Sequence, residues 1–427
     1  MKQISYQLSR GLLELNIEKE VEPFENLLGV AERINPKRSF LFVSKVIGRY
    51  VPTSLTEMLR VSTLLGEQVP TNLLVGNISV LSLSETALGL GALVHKYYKD
   101  LGLTTLNAFT SRHLLSVPIR SKFEEPHSHL PSHYVYKSFD NKVNQHFDNT
   151  ETLILIDDEI TTGNTLANLY ASLKLTSVKR VILLTLADWS GANSFNWGDV
   201  EVYKFSLVSG SYKWTSTTDE VVSLPYNPSD IHSRDELLPI PSQSTRLPSF
   251  CGLKIKPRVK SKFDISLREP EQLLCLYYNE MLPQAIEAMI YDRSEENWSS
   301  VYFLSLSSSP LEVGHDIQSK IQLRGYYSDI PVYLYNYQET MQSFSDPSLT
   351  LIHESDVVMP YSAKAFKSPV TELLTVLDLP NRSFLNHRDI NSMYAVNYLE
   401  QSFHNDPVKP TFSKSLLNED GDLLCLF

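Results

Sequence analysis

Cysteine is scarce in this chain of 427 residues: Cys251, Cys275 and Cys425 are its three, widely spaced and odd in number. That pattern excludes a disulfide framework and a CxxC metal site, and it suits a reducing compartment. Long apolar runs are missing too, none approaching the roughly 18 residues of a membrane-crossing helix. The N-terminal MKQISYQLSRG is polar and lacks the apolar core of a secretory signal, so a cytoplasmic location is expected. Positive charge is in deficit, with 38 Lys and Arg against 49 Asp and Glu and a net charge of −11. A generic nucleic-acid or anionic-membrane surface must be basic, so neither partner is expected, while local basic pockets stay open. Short-period repeats and a low-complexity tail are absent. What is present, 42% hydrophobic and 20% charged residues, is globular, and the length calls for two or three domains.

The most informative segment is TLILIDDEITTGNT, residues 152–165. An apolar run from Leu153 to Ile156, bounded by turn signals, predicts a buried parallel strand, and the spacing of Leu166, Leu169, Tyr170 and Leu173 predicts a helix after Gly163. The turn between them joins a strand's C-terminal end to a helix N-terminus, where unpaired N–H groups favour an anion. Thr161, Thr162 and Thr165 add hydroxyl donors, and Gly163 permits close approach, so a phosphate fits. Asp157 and Asp158 beside it suit a sugar diol, with or without a divalent cation. Phosphate plus diol reads as a ribose 5-phosphate. The bland alternative is an ordinary strand-turn-helix connection capped by Thr165. The apolar run, paired acids and Thr-Thr-Gly-x-Thr resemble the phosphoribosyl pyrophosphate (PRPP) motif of type I phosphoribosyltransferases.

Around this segment the pattern predicts an α/β fold, a doubly wound parallel sheet. Candidate strands are 40–43, 73–75, 104–109, 153–156 and 181–186; candidate helices are 54–65, 86–99 and 165–175. Six of the 23 prolines fall between 225 and 257, marking a connector over 216–260. Alternation then resumes, with strands at 272–278, 301–306 and 331–337 and a helix at 282–291, predicting a second, smaller α/β domain.

The resemblance implies a diphosphate-binding loop after an earlier strand, and Ser84, Glu85, Thr86 and Ala87 stand there; a plain capping box is the alternative. It also implies a mobile lid between that loop and the PRPP strand. Residues 108–139 occupy this position and hold Arg112, a candidate for phosphoryl oxygens, Glu124, Glu125, His127, His129 and His133. His127 is the candidate proton-handling residue. The spacing HSHLPSH also allows a zinc site, though no fourth ligand is evident. Asn35, Lys37, Arg38, Ser44, Lys45 and Arg49 surround one strand, as an anion entrance, a subunit contact or a solvated face.

Together NPKRSFLFVSKVIGRYVP, SETALGLG, FEEPHSH and IDDEITTGNT resemble the orotate-phosphoribosyltransferase-like proteins found beside bacterial tellurite-resistance and stress-response genes. That family carries a C-terminal domain named for a Thr-Arg-Ser-Pro motif, and Ser307, Ser308, Ser309 and Pro310 stand at the corresponding place, without the arginine. Glu280 and Asn336 are the candidate polar residues of this half. The resemblance implies a phosphoribosyltransferase domain at 1–215, the connector at 216–260 and the C-terminal domain at 261–427. It implies Mg2+-dependent transfer from PRPP to a nitrogenous base-like acceptor, releasing pyrophosphate. Asp157 and Asp158 would hold diol and Mg2+, possibly through water, Glu159, Ile160, Thr161, Thr162, Gly163, Asn164 and Thr165 the 5-phosphate, and Ser84–Ala87 with Arg112 the pyrophosphate. A non-catalytic PRPP or nucleotide sensor and an assembly component are the rivals, and a homodimer is left open.

Overall fold

The computed structural model describes residues 2–35, 38–115, 117–125, 131–218, 247–250, 252–253, 272–278, 280–292, 295–323, 331–345, 347–353 and 382–386. The chain starts with β1 (Lys2–Leu8), β2 (Gly11–Glu20), α1 (Phe24–Leu27), β3 (Leu28–Glu32), β4 (Phe40–Ser44), β5 (Thr53–Ser54) and α2 (Leu55–Gly66). Next come β6 (Ile78–Ser82), α3 (Leu88–Asp100), β7 (Thr105–Ser111), β8 (Ile119–Glu124), β9 (Ser132–Tyr136) and α4 (Asn141–Asp148). The first half closes with β10 (Thr152–Ile160), α5 (Asn164–Leu173), β11 (Arg180–Asp188) and β12 (Glu201–Ser216).

Nine of these strands form one sheet in the order β1-β2-β12-β11-β10-β6-β7-β9-β8. Its five central strands, β12 to β7, are parallel, and an antiparallel hairpin is added at each edge. The fully apolar run of β10 shows why these strands sit in the middle. Leu153 and Leu155 pack on one face with Leu166 and Leu169 of α5 and Phe147 of α4, while Ile154 and Ile156 pack on the other with Val61 of α2 and Val94 of α3. Strands buried on both faces need helices on both, so the sheet is doubly wound as expected.

Three expectations are corrected. The strand expected at 73–75 lies at β6: Thr71–Leu73 form a 3-10 turn after Pro70, Gly76 adopts φ +75°, and Val75 is exposed. Ser79 and Ser82 hid the real strand; both are buried, and the Ser79 hydroxyl meets that of Thr150 at 2.7 Å. Residues 40–43 do form a strand, but among the described residues β4 pairs only with β3, apart from the main sheet. The segment expected as a lid is largely sheet, because β8 and β9 pair with each other and β9 extends the sheet from β7. His127 and His129 lie outside the described residues, as does Lys37 and most of the connector at 216–260.

The second half contains β13 (Gln272–Tyr278), α6 (Leu282–Asp292), β14 (Val301–Ser307), β15 (Lys320–Leu323), β16 (Val332–Tyr335), α7 (Tyr337–Ser343), β17 (Pro347–His353) and β18 (Arg382–Asn386). They make a second sheet, ordered β15-β16-β14-β13-β17-β18, into which the first half inserts β5 against β14. The strand expected at 331–337 ends at Tyr335, because Asn336 turns into a left-handed conformation and starts α7. The two halves share a core. Helix α3 sends Leu90, Val94 and Tyr98 to the first sheet and Leu88, Ala92 and Leu93 to the second half, so it is apolar around most of its circumference. Gly89 permits this, since a Cβ there would lie 2.5 Å from Leu282 Cδ2. No helix among the described residues is long and apolar enough to cross a membrane.

Candidate active site

The connections place a site before any side chain is considered. From β6 the chain moves through α3 to β7 on one side, and from β10 through α5 to β11 on the other, so the order reverses between β6 and β10. Open α/β sheets bind ligands at such a reversal, outside the strands' carboxyl ends. Pairing between the two strands stops at Ile156 and Ser82, whereas β10 stays paired with β11 as far as Ile160. Asp157, Asp158 and Glu159 thus run along a strand with one edge released, facing the loop that leaves β6.

Residues 84–87 are that loop, and it comes within hydrogen-bond reach of the paired acids. Thr86 Oγ1 donates to Asp158 Oδ1 at 3.1 Å, with Asp157 Oδ1 3.4 Å away. The Ser84–Glu85 peptide is cis. Helix α3 begins at Leu88, two residues later than expected, so Thr86 and Ala87 belong to the turn. On the far side Gly163, at φ +75°, is the N-cap of α5, and Asn164 and Thr165 form its first turn. Any other residue would be strained there, and an added Cβ would lie 2.7 Å from the Phe195 ring. The sequence-predicted residues 84–87 and 157–165 are therefore adjacent across one crevice.

Electrostatics single out the acids. Asp157 is pushed well above the usual carboxyl range by burial first, then by the charges of Asp158 and Glu125. Asp158 is raised by burial and by Glu159, against hydrogen bonds from its neighbours. Neither forms an ion pair among the described residues. The three arginines of the crevice each hold another carboxylate. Arg38 Nη1 and Nη2 bind both oxygens of Glu159, at 2.7 and 3.3 Å, and its guanidinium lies over the Phe40 ring. Arg49, fully buried, pairs with Glu85 and also donates to Ser307 Oγ at 3.1 Å. Arg112 Nη2 donates to Glu125 Oε2 at 2.6 Å. Counting Glu280 beside Ser111, six carboxylates thus stand around three guanidiniums. Two adjacent buried carboxyl groups, raised by burial first and by neighbouring acids second, gain from a hard divalent cation, which prefers oxygen ligands and keeps water or substrate oxygens. No cluster of three or more His, Cys, Asp or Glu suited to a metal exists among the described residues, so Asp157 and Asp158 would be the protein's share.

Arg112 also donates from Nε to the Ser84 carbonyl oxygen at 3.3 Å, which ties the diphosphate-loop candidate to β7. A ring of hydrogen bonds closes behind it. The Ser84 N–H donates to Thr110 Oγ1 at 2.8 Å, Thr110 Oγ1 lies 3.0 Å from His133 Nδ1, and His133 Nε2 lies 3.2 Å from Glu125 Oε2. The Glu125 carboxylate can only accept, so the neutral His133 carries its proton on Nε2, and its bare Nδ1 accepts from the Thr110 hydroxyl. Burial, then the Arg112 charge, holds His133 down to about 4. His133 is stacked on Phe123 and wholly buried, which removes it from the expected histidine lid and from a zinc site. Thr110 was missed in the sequence because a threonine inside a strand carries no signal of its own.

The basic residues around β4 also find places. Arg38 and Arg49 enter the crevice, whereas Lys45 pairs with Asp316 of the second half at 2.9 Å. Asn336 is a structural crosslink, donating to the Tyr50 and Asp316 carbonyl oxygens at 2.9 and 2.8 Å.

Residues 27–203 match the family described as phosphoribosyl transferase, which puts an enzyme domain of that family in this segment. No curated protein matches the chain. Among solved structures it is similar to the adenine phosphoribosyltransferase of Rhodothermus marinus DSM 4252, at 13% identity over 43% of this chain and 96% of that one, with a TM-score of 0.28. The Trypanosoma brucei adenine phosphoribosyl transferase in complex with AMP, pyrophosphate and ribose-5-phosphate is similar at 16% identity, 43% and 77% coverage and a TM-score of 0.30. The HGPRT-ase of Leishmania tarentolae in complex with GMP gives 11%, 36%, 79% and 0.22. Likeness at these scores carries no argument about ligands.

Proposed function

We propose that the chain is a Mg2+-dependent phosphoribosyltransferase that moves ribose 5-phosphate from PRPP to a nitrogenous base or base-like acceptor and releases pyrophosphate. The observation that carries this reading is the meeting, at the β6–β10 reversal, of Asp157 and Asp158 with the α5 N-terminus on one side and Thr86 on the other. The α5 turn, Glu159 to Thr165, would bind the 5-phosphate through N–H groups and hydroxyls. Asp157 and Asp158 would accept from the ribose diol. Ser84–Ala87 would bind the diphosphate, with Arg112 behind them.

Transfer breaks the bond from ribose C1 to the diphosphate oxygen, which keeps the electron pair, and forms a bond from C1 to the acceptor nitrogen; a proton carried by that nitrogen leaves to solvent or to the departing diphosphate oxygen. Positive charge grows on the sugar, and the two aspartates favour it by lying next to it in a poorly solvated crevice. Mg2+, held by Asp157 and Asp158, would neutralise the leaving diphosphate. The acid excess supports this, since a donor bearing several phosphoryl charges would otherwise meet six carboxylates. His127, the residue expected to handle a proton, lies outside the described residues and is assigned no step.

The finer parts of the proposal are the three segments 1–215, 216–260 and 261–427, the kinship with the tellurite-resistance-associated branch and its C-terminal domain, a cytoplasmic location and a homodimer. The test is pyrophosphate release from PRPP and Mg2+ over a panel of purine, pyrimidine and pyridine bases and a cell extract of small molecules. Release that needs both an acceptor and Mg2+ is expected. PRPP binding with no release for any acceptor would favour a sensor.

A further inference from the structure

The two halves meet at the carboxyl ends of their parallel strands, and the second half reaches the crevice from there. Glu280 follows β13 and is 3% exposed. Its Oε2 accepts from the Ser111 hydroxyl at 2.6 Å, and its Oε1 accepts from the Arg112 backbone N–H at 2.5 Å. Both donors lie where β7 ends, and Arg112 closes the ring that begins and ends on Ser84: Ser84 N–H to Thr110, Thr110 to His133, His133 to Glu125, Arg112 to Glu125 and Arg112 to the Ser84 carbonyl. A second tie runs beside it, because Ser307 at the end of β14 accepts from Arg49, which pairs with Glu85 of the same loop.

We propose that Glu280 is a positioning residue for the diphosphate side of the donor site, so that the second half forms part of that site. This rests on the phosphoribosyl-transfer reading above. A buried carboxylate that accepts a backbone N–H and a neighbouring hydroxyl fixes both against rotation, and the backbone held here is that of Arg112. Arg112 in turn fixes the Ser84 carbonyl, and with it the orientation of the loop's N–H groups and of Thr86. The hydrogen bonds of this ring lead from Glu280 to the Ser84 loop, and the α5 turn is not a member of it. The prediction is therefore selective: loss of Glu280 acts on the diphosphate and spares the 5-phosphate.

The experiment measures binding of Mg2+–PRPP and of ribose 5-phosphate to the full chain by calorimetry, for the unsubstituted protein, Glu280→Ala and Glu280→Gln. With Glu280→Ala, PRPP should bind about tenfold more weakly, the scale of one missing charge-assisted hydrogen bond, while ribose 5-phosphate changes less than about twofold. Glu280→Gln keeps one acceptor oxygen and should recover part of the loss. It also replaces the alanine variant if that fails to fold. Equal weakening of both ligands, or unchanged PRPP affinity in a folded variant, overturns the positioning role. Unsubstituted protein that binds neither ligand overturns the donor-site reading itself, and this role with it.

Discussion

Thr86 Oγ1 lies 3.1 Å from Asp158 Oδ1, joining the loop after β6 to the acidic end of β10 across the reversal of strand order. The bond ties the proposed diphosphate and diol sites together. Thr86→Val keeps the shape and removes the donor. It should weaken Mg2+–PRPP binding by roughly tenfold, as removal of one hydrogen bond to a charged group would. Titration calorimetry checks this, and unchanged affinity would separate the two loops functionally.

Arg38 and Glu159 form a two-point pair on top of Phe40. Lysine can supply charge there but neither the second hydrogen bond nor the planar stacking. Arg38→Lys should cost about 1 kcal/mol of stability, and Arg38→Met about 3 kcal/mol, because Glu159 is left partly buried without its partner. Urea unfolding at pH 7 measures both. A methionine variant as stable as the lysine one would show that packing outweighs the ion pair.

A glycine is required at 163 by its φ of +75° and by the Phe195 ring beside it. Gly163→Ala should lower stability by roughly 1–2 kcal/mol through left-handed strain and crowding. It should also weaken ribose 5-phosphate binding, since the first turn of α5 must move. Thermal unfolding with and without the ligand reads both effects, and an alanine variant that behaves like the parent would argue against the close-packed turn.

His95 is fully buried, with Nε2 2.9 Å from the Thr105 carbonyl oxygen, and burial holds its pKa down to about 4. An unfolded histidine titrates near 6.5, so between about 6.5 and 4 the unfolded chain binds the extra proton. Stability is therefore constant above this window, as far as His95 decides it, and falls as pH drops through it. From pH 7 to 5 the loss from this group should be roughly 2 kcal/mol. His95→Gln should flatten the slope in urea unfolding at the two pH values, leaving a remainder from His133, which is also held near 4. Identical slopes would contradict the buried neutral imidazole.

Much of the fold was legible because β10, β11, β13 and α5 announce themselves: their apolar runs are long, and their burial matches the pattern along the chain. β6 was misread because two serines interrupt its apolar run, and the partner that satisfies Ser79, Thr150, is remote in sequence. The hairpin of β8 and β9 was read as a lid because His133 looks like a solvated residue until the sheet edge buries it. In the crevice, the short-range motifs around Asp157 and Thr86 were visible. The pairing of Arg49 with Glu85, or of Glu280 with Ser111, was not, since it joins residues 36 and 169 positions apart and depends on how two sheets pack.

The central claim is that Asp157 and Asp158 hold the ribose and the cation of a PRPP donor. Calorimetric titration of Mg2+–PRPP into the parent protein and into Asp157→Asn/Asp158→Asn tests it most directly, with thermal unfolding as the check on folding. Removing both charges relieves their mutual repulsion, so the double variant should unfold at a higher temperature without ligand. It should bind Mg2+–PRPP roughly a hundredfold more weakly, about tenfold for each carboxylate whose charge-assisted hydrogen bonding is removed. A folded double variant that binds Mg2+–PRPP as tightly as the parent would contradict the account.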